Sequence, residues 1–301
     1  MKGQGKAFPG VMDDSPRIRL ISVFVALLVC SITASVQGRQ AEEPRHYLGL
    51  KSDSGQKSVT FVLVHGSMHG AWCWYKVVTL LQERGYNVAA LDLKSLGRDK
   101  TSADSVVTMA QLTEPAIQLI TNITGKVIIV GHSSGGFAIS YVMEQFAEKI
   151  EKAVFLAAMM PLNGVKYEFF RPSAEIGDRL FYYYGNGPNS LPTSFLINPI
   201  YAPGAFYPKS PKEDVTLALS LLAPHPMQPY EDALTLSPER YGRVRRYYIK
   251  TIGETPTSQA TQDNAIESNP PERVFEIDSD HSAFFTKPVD LTSILEKIYY
   301  L

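Results

Sequence analysis

Four segments of this chain are almost wholly apolar or β-branched, and stretches of helical periodicity separate them. They read VTFVLV at Val59–Val64, VAALDL at 88–93, KVIIV at 126–130 and KAVFLAA at 152–158. A run that does not alternate polar with apolar residues suits a strand buried on both faces. Between the runs, apolar residues recur at helical spacing over 71–84, 106–121 and 137–148, the first ending at Gly85, a natural helix stop. Strands alternating with helices predict an α/β fold, a mostly parallel sheet with helices on both faces. Further strands are expected at 246–252 and 274–277, and a last helix at Pro288–Tyr300. No internal repeat is visible.

The alternation breaks between about 161 and 245. That stretch is rich in Pro, Tyr and Phe and holds one clear helical pattern, at 211–222. An insertion between two sheet strands is expected to form a cap over the sheet's carboxyl edge, where ligands of open α/β sheets bind. Its aromatic residues, among them Phe169, Phe170, Tyr182, Tyr183, Phe195 and Tyr207, are expected mostly to pack the cap, with some lining a pocket.

The N-terminus reads differently. Arg17 and Arg19 precede an apolar run from Leu20 to about Val29, followed by Ala34, Ser35 and Gly38. That is the order of a secretory signal, and the run is short for a membrane span of about 20 residues. The expected organisation is a signal peptide at 1–38 (alternatively an uncleaved anchor), a polar tether at 39–56, and one domain at 57–301. The expected location is secreted or periplasmic.

Composition removes several function classes. Lys and Arg number 29 against 30 Asp and Glu, so no basic excess drives nucleic-acid binding. Two cysteines, Cys30 and Cys73, make neither a disulfide framework nor a cysteine-rich zinc site. His65 and His69 lack a third ligand at ordinary spacing, so no metal or other cofactor is expected.

Chemistry concentrates at Gly131-His132-Ser133-Ser134-Gly135, a G-x-S-x-G motif between a buried strand and a helix. A nucleophile held in so tight a turn needs small neighbours two residues away on either side, which the two glycines supply. Ser133 is the expected nucleophile, above the N-terminus of the following helix, where partial positive charge favours a developing anion. A serine hydroxyl needs a base. Of the six histidines, His281 lies in the loop DSDHSAFF after the last strand, in the chain order Ser, acid, His. Glu254, two residues beyond the strand RYYIKTI, is the favoured acid, with Asp263 as the alternative. Asp278 and Asp280 are expected to shape the histidine loop. Backbone N–H groups of Ser134 and, in the turn HGSMHG, Ser67 are the expected oxyanion donors.

Four segments, VLVHGSMHGAWCWYKVVTLLQERGYNVAALDL, VIIVGHSSGG, AVFLAAMMP and IDSDHSAFFTKP, together resemble the plant methylesterase and hydroxynitrile lyase family of α/β-hydrolases and its bacterial relatives. The resemblance spans about 58–300. It implies Ser133 as nucleophile, His281 as base, and Ser67 and Ser134 as oxyanion donors. The family acid is an aspartate, and ungapped spacing places it on Glu254, a departure from the pattern. The lyases carry a threonine where this chain has Gly66 and a lysine where it has Ser282, so cyanohydrin cleavage is not expected. The expectation is a serine esterase acting through an acyl-enzyme on a small-molecule ester. The alternatives are a lyase, lactonase or amidase on the same fold, or a binding protein with vestigial catalysis.

Overall fold

The computed structural model describes residues 47–48, 59–167, 172–173, 177–253 and 256–301. The expected signal at 1–38, most of the expected tether, Phe169, Phe170 and Glu254 lie outside the described residues. Ten strands are assigned: β1 (Tyr47–Leu48), β2 (Val59–Val64), β3 (Asn87–Leu91), β4 (Lys126–His132), β5 (Ile150–Leu156), β6 (Leu180–Tyr183), β7 (Ser194–Ile197), β8 (His225–Pro226), β9 (Arg245–Thr251) and β10 (Arg273–Ile277). Seven form one sheet in the order β1-β3-β2-β4-β5-β9-β10. All its pairings are parallel except β1 on β3.

The apolar runs become two-faced strands because successive side chains point to opposite sides. Phe61 and Leu63 of β2 join one core cluster with Ile128, Val130, Val154 and Ile249. Val62 and Val64 join the other with Ile129, Ala153, Phe155 and Tyr248. Helices α1 (Tyr75–Glu83), α2 (Glu114–Asn122), α3 (Gly135–Phe146), α4 (Lys212–Leu221), α5 (Pro256–Ser268) and α6 (Pro288–Tyr300) complete the main elements. Leu81 of α1 and Leu291, Leu295 and Ile298 of α6 cover the first face. Leu119 of α2 and Val142 of α3 cover the second. Fully burying a side chain of this size is worth about 1.5–3 kcal/mol.

Two expected helices start differently. The stretch from residue 71 opens as a 3₁₀ turn, Ala71–Trp74, before α1. The pattern over 106–121 divides into a turn at Met109–Leu112 and α2. Pro115 is the cause: it has no N–H to give the Gln111 carbonyl, so the first helix stops and a second starts with proline in its first turn.

Between β5 and β9 the chain forms a second, antiparallel sheet, β6-β7-β8, and carries α4. Asp214 of α4 is buried and pairs with Lys76 and the Tyr75 hydroxyl of α1, tying this inserted segment to the main body.

Candidate active site

The loops after β2, β4, β5, β9 and β10 leave the same edge of the sheet, and the sequence-selected residues sit on them. Ser133 follows β4 with φ = 54°, left-handed backbone that costs a non-glycine residue roughly 1–2 kcal/mol. Its conformation is over-determined. The Ser133 N–H donates to the Leu156 carbonyl at 3.2 Å, and its own carbonyl accepts from Gly136 N and Met159 N, each at 3.1 Å. The flanking glycines are required by space. A β-carbon on Gly131 would lie 2.8 Å from the Gly135 carbonyl oxygen, and one on Gly135 2.5 Å from that of His65. Gly66 is as tight, because its β-carbon would stand 2.8 Å from Ser133 Cβ.

His281 follows β10, and it lines a cavity of about 420 Å³ together with Ser133. Both are partly exposed, as groups that meet a substrate must be. Two contacts fix the His281 loop. His132 Nε2 donates to the His281 carbonyl at 2.8 Å, with the two rings 4.6 Å apart. Asp280 is fully buried and accepts from Ser282 N at 3.1 Å, Thr286 Oγ1 at 2.5 Å, Lys209 N at 2.9 Å and Ser210 Oγ at 2.9 Å. Asp280 therefore fastens the histidine loop to the inserted segment. Asp278 is exposed and pairs with Lys209 Nζ at 2.9 Å, which holds its carboxyl below the usual range.

Of the two candidate acids, Asp263 on α5 is half-exposed and its carboxylate pairs with Lys250 Nζ at 2.5 Å. It is not among the residues lining the cavity, although its neighbours Gln262 and Asn264 are. Glu254 lies outside the described residues, but its predecessor Gly253 donates its N–H to the Ser279 carbonyl at 3.0 Å. The chain thus passes the histidine loop one residue before Glu254.

Ser67 and Ser134 come together, with Ser67 Oγ donating to Ser134 Oγ at 2.8 Å. Among the described residues, no protein acceptor engages either backbone N–H. His65 and His69 both have their ring nitrogens taken. His65 Nδ1 donates to the Gly66 carbonyl and its Nε2 accepts from Leu93 N. His69 Nδ1 donates to the Ser67 carbonyl and its Nε2 accepts from the Tyr207 hydroxyl at 2.6 Å. Neither ring has a lone pair left for a metal. Burial lowers the pKa of His65, and that of His69 to about 3.

A chain with this strand–elbow–helix and this sheet order is decided by one comparison. Residues 61–293 match the family described as "Alpha/beta hydrolase family". The chain belongs to the α/β-hydrolases.

Within that family it is 40% identical over 247 residues to putative methylesterase 12, chloroplastic, of Arabidopsis thaliana, covering 79% of this chain and 71% of that protein. It is 38% identical over 249 residues to methyl jasmonate esterase 1 of Vitis vinifera, covering 79% and 95%. Among solved structures, a methylesterase from Arabidopsis superposes with a TM-score of 0.73 at 36% identity, over 81% of this chain and 100% of that one. Tomato methylketone synthase I, complexed with 2-tridecanone, gives 0.73 at 33%, over 81% and 98%.

The cavity of this α/β-hydrolase takes one aromatic from the inserted segment and one from β9. The aromatic wall comes from Tyr167 and Tyr248, and the rest from Ala157, Met159, Leu162 and one face of α5. Other inserted aromatics go elsewhere: Phe195 and Tyr207 are in the core, and Tyr183 and Tyr184 are exposed. Sequence reasoning also left His225 and Tyr230 without a role. Both are buried, His225 accepting from Met68 N in the loop after β2, and their only sequence signal was a histidine between prolines in an apolar stretch.

Proposed function

We propose that this α/β-hydrolase is a serine esterase that cleaves carboxylic esters through an acyl-enzyme. The observation that carries the reading is Ser133, held left-handed on its elbow and facing the same cavity as His281. Ser133 Oγ attacks the ester carbonyl carbon while His281 takes the hydroxyl proton. The carbonyl π pair moves to oxygen, and the N–H groups of Ser67 and Ser134 stabilise that charge. The tetrahedral intermediate collapses, the carbon–oxygen bond to the alcohol breaks, and His281 returns the proton to the leaving oxygen. Water repeats the sequence on the acyl-enzyme and releases the acid. Glu254 orients His281 and supports its cationic form.

The first relatives are named methylesterases, which puts methyl esters of small apolar acids at the head of a substrate panel. A lyase reading gains no support, since this chain has Gly66 and Ser282 where the lyases carry threonine and lysine. Ser133→Ala is expected to lose on the order of 10⁴ or more in kcat, because the catalytic groups act as a unit. The wild type should label covalently with a fluorophosphonate at Ser133. More than a tenth of wild-type activity in the variant, or no labelling, overturns the mechanism.

The N-terminal charge and apolar pattern supports a secretory signal ending near Gly38. N-terminal sequencing of protein from the native host should then start near residue 39. A start at Met1 on protein inside the cytoplasm removes this reading.

A further inference from the structure

Buried histidines hold the main-chain groups around the Ser67 N–H. The Gly66 carbonyl shares a rigid peptide plane with that N–H, and it accepts from His65 Nδ1 at 2.8 Å. The Ser67 carbonyl accepts from His69 Nδ1 at 2.7 Å. On the far side, the Met68 N–H donates to His225 Nδ1 at 3.4 Å. Donor and acceptor chemistry settles the tautomers. A carbonyl can only accept, so His65 and His69 carry their proton on Nδ1. A backbone N–H can only donate, so His225 Nδ1 is bare and its proton sits on Nε2. That proton goes to the Tyr230 hydroxyl at 3.1 Å. Beside this network, Ser134 Oγ accepts from Ser67 Oγ at 2.8 Å.

The two residues at the head of this network come from the inserted segment. His225 is fully buried in β8, and Tyr230 is 5% exposed in the turn that follows. Met68 is the residue most in need of restraint, because its φ of 65° is left-handed for a residue with a β-carbon. Such a conformation persists only where surrounding contacts impose it. The bond to His225 acts on Met68 directly, one residue from the Ser67 donor.

We infer that His225 and Tyr230 are positioning residues for the oxyanion hole, His225 through the Met68 N–H and Tyr230 by holding the His225 ring and its tautomer at Nε2. The inference rests on the reading of Ser67 and Ser134 as the oxyanion donors. Neither residue touches the reacting atoms. Together they hold the backbone segment whose N–H must already be in place when charge develops on the carbonyl oxygen, since pre-placed donors need no reorganisation during the reaction.

Three variants test this in the full chain. Tyr230→Phe keeps the ring and deletes the hydroxyl. His225→Leu keeps bulk and deletes the acceptor, and His225→Asn restores an acceptor near the Nδ1 position. Removing an oxyanion donor outright costs about 10²–10³ in kcat, so loosening one should cost on the order of 10-fold. Tyr230→Phe and His225→Leu should therefore lower kcat about 10-fold with KM within about twofold, and His225→Asn should recover most of the loss.

A trifluoromethyl ketone that adds to Ser133 and forms an oxyanion should weaken by the same factor as kcat/KM. Binding of the product carboxylic acid should stay unchanged. A packing role alone would weaken both ligands together and show no rescue by asparagine, and that pattern overturns the inference. So does wild-type kcat in Tyr230→Phe, the variant least able to disturb folding. If the wild type neither hydrolyses esters nor labels with the fluorophosphonate, the esterase reading itself has failed. An active wild type with indifferent variants removes only the positioning role.

Discussion

At Gly66, Gly131 and Gly135 an added methyl would come within 3.0 Å of neighbouring atoms, so each substitution would force the elbow to shift. The motif in the sequence announced Gly131 and Gly135, whereas Gly66 and its approach to Ser133 come from the loop after β2. The acid is less local. Lys250 takes the Asp263 carboxylate, while Gly253 ties the chain before Glu254 to the histidine loop. Glu254→Gln should keep its fold and lose roughly 10²–10⁴ in kcat, because His281 loses the charge that supports its cationic form. Glu254→Asp should retain partial or full activity, and Asp263→Asn should stay near wild type. Steady-state kcat beside thermal midpoints separates lost chemistry from lost fold. An inactive Asp263→Asn beside an active Glu254→Gln would move the acid to Asp263.

At the scale of elements, the parallel strands were legible because burial on both faces demands unbroken apolar runs. Strand β2 lies at the residues expected, and the other core strands shift by a residue or two at their ends. The inserted segment was harder to read. Its strands β6, β7 and β8 are two to four residues long and alternate little. Their partners lie far along the chain: β7 pairs its Phe195 with His225 of β8. Such strands exist because the main body supports them, with Met68 sulfur accepting from Ile197 N and the Met68 carbonyl from Ala223 N. No window of local sequence carries that information. The break at Pro115 was in principle readable, since proline's missing N–H is a property of the residue alone.

At the scale of the whole molecule, four histidines among the described residues are buried: His65, His69, His132 and His225. Burial lowers the pKa of each, with His69 and His225 at about 3. In the folded state they stay neutral well below pH 6.5, while in the unfolded chain they take up protons from about that pH downward. The unfolded state then binds more protons, so stability is full above about pH 6.5 and falls as pH drops toward the folded values. His69 and His225 should each cost about 2 kcal/mol between pH 7 and 5, and His65 and His132 act in the same direction. Carboxylates with lowered pKa, Asp99, Glu272 and Asp278, pull the same way, but below about pH 4.5. Urea midpoints at pH 7 and pH 5 read the histidines alone. Equal midpoints would mean that the buried rings protonate without unfolding.

The sequence by itself determined the layer architecture, the elbow serine and the loop histidine. The strands and the turn follow from rules that act over a few residues, apolar continuity for a strand buried on both faces and small neighbours for a tight strand-to-helix turn, and the proposed base follows from chain order. Only the tertiary structure decided which side chains hold those groups still. His225 meets Met68 across 157 positions, and His132 meets the His281 carbonyl across 149. Hydrogen bonds are satisfied by whatever folding brings within about 3 Å, and a pattern of residue types along the chain does not encode that distance.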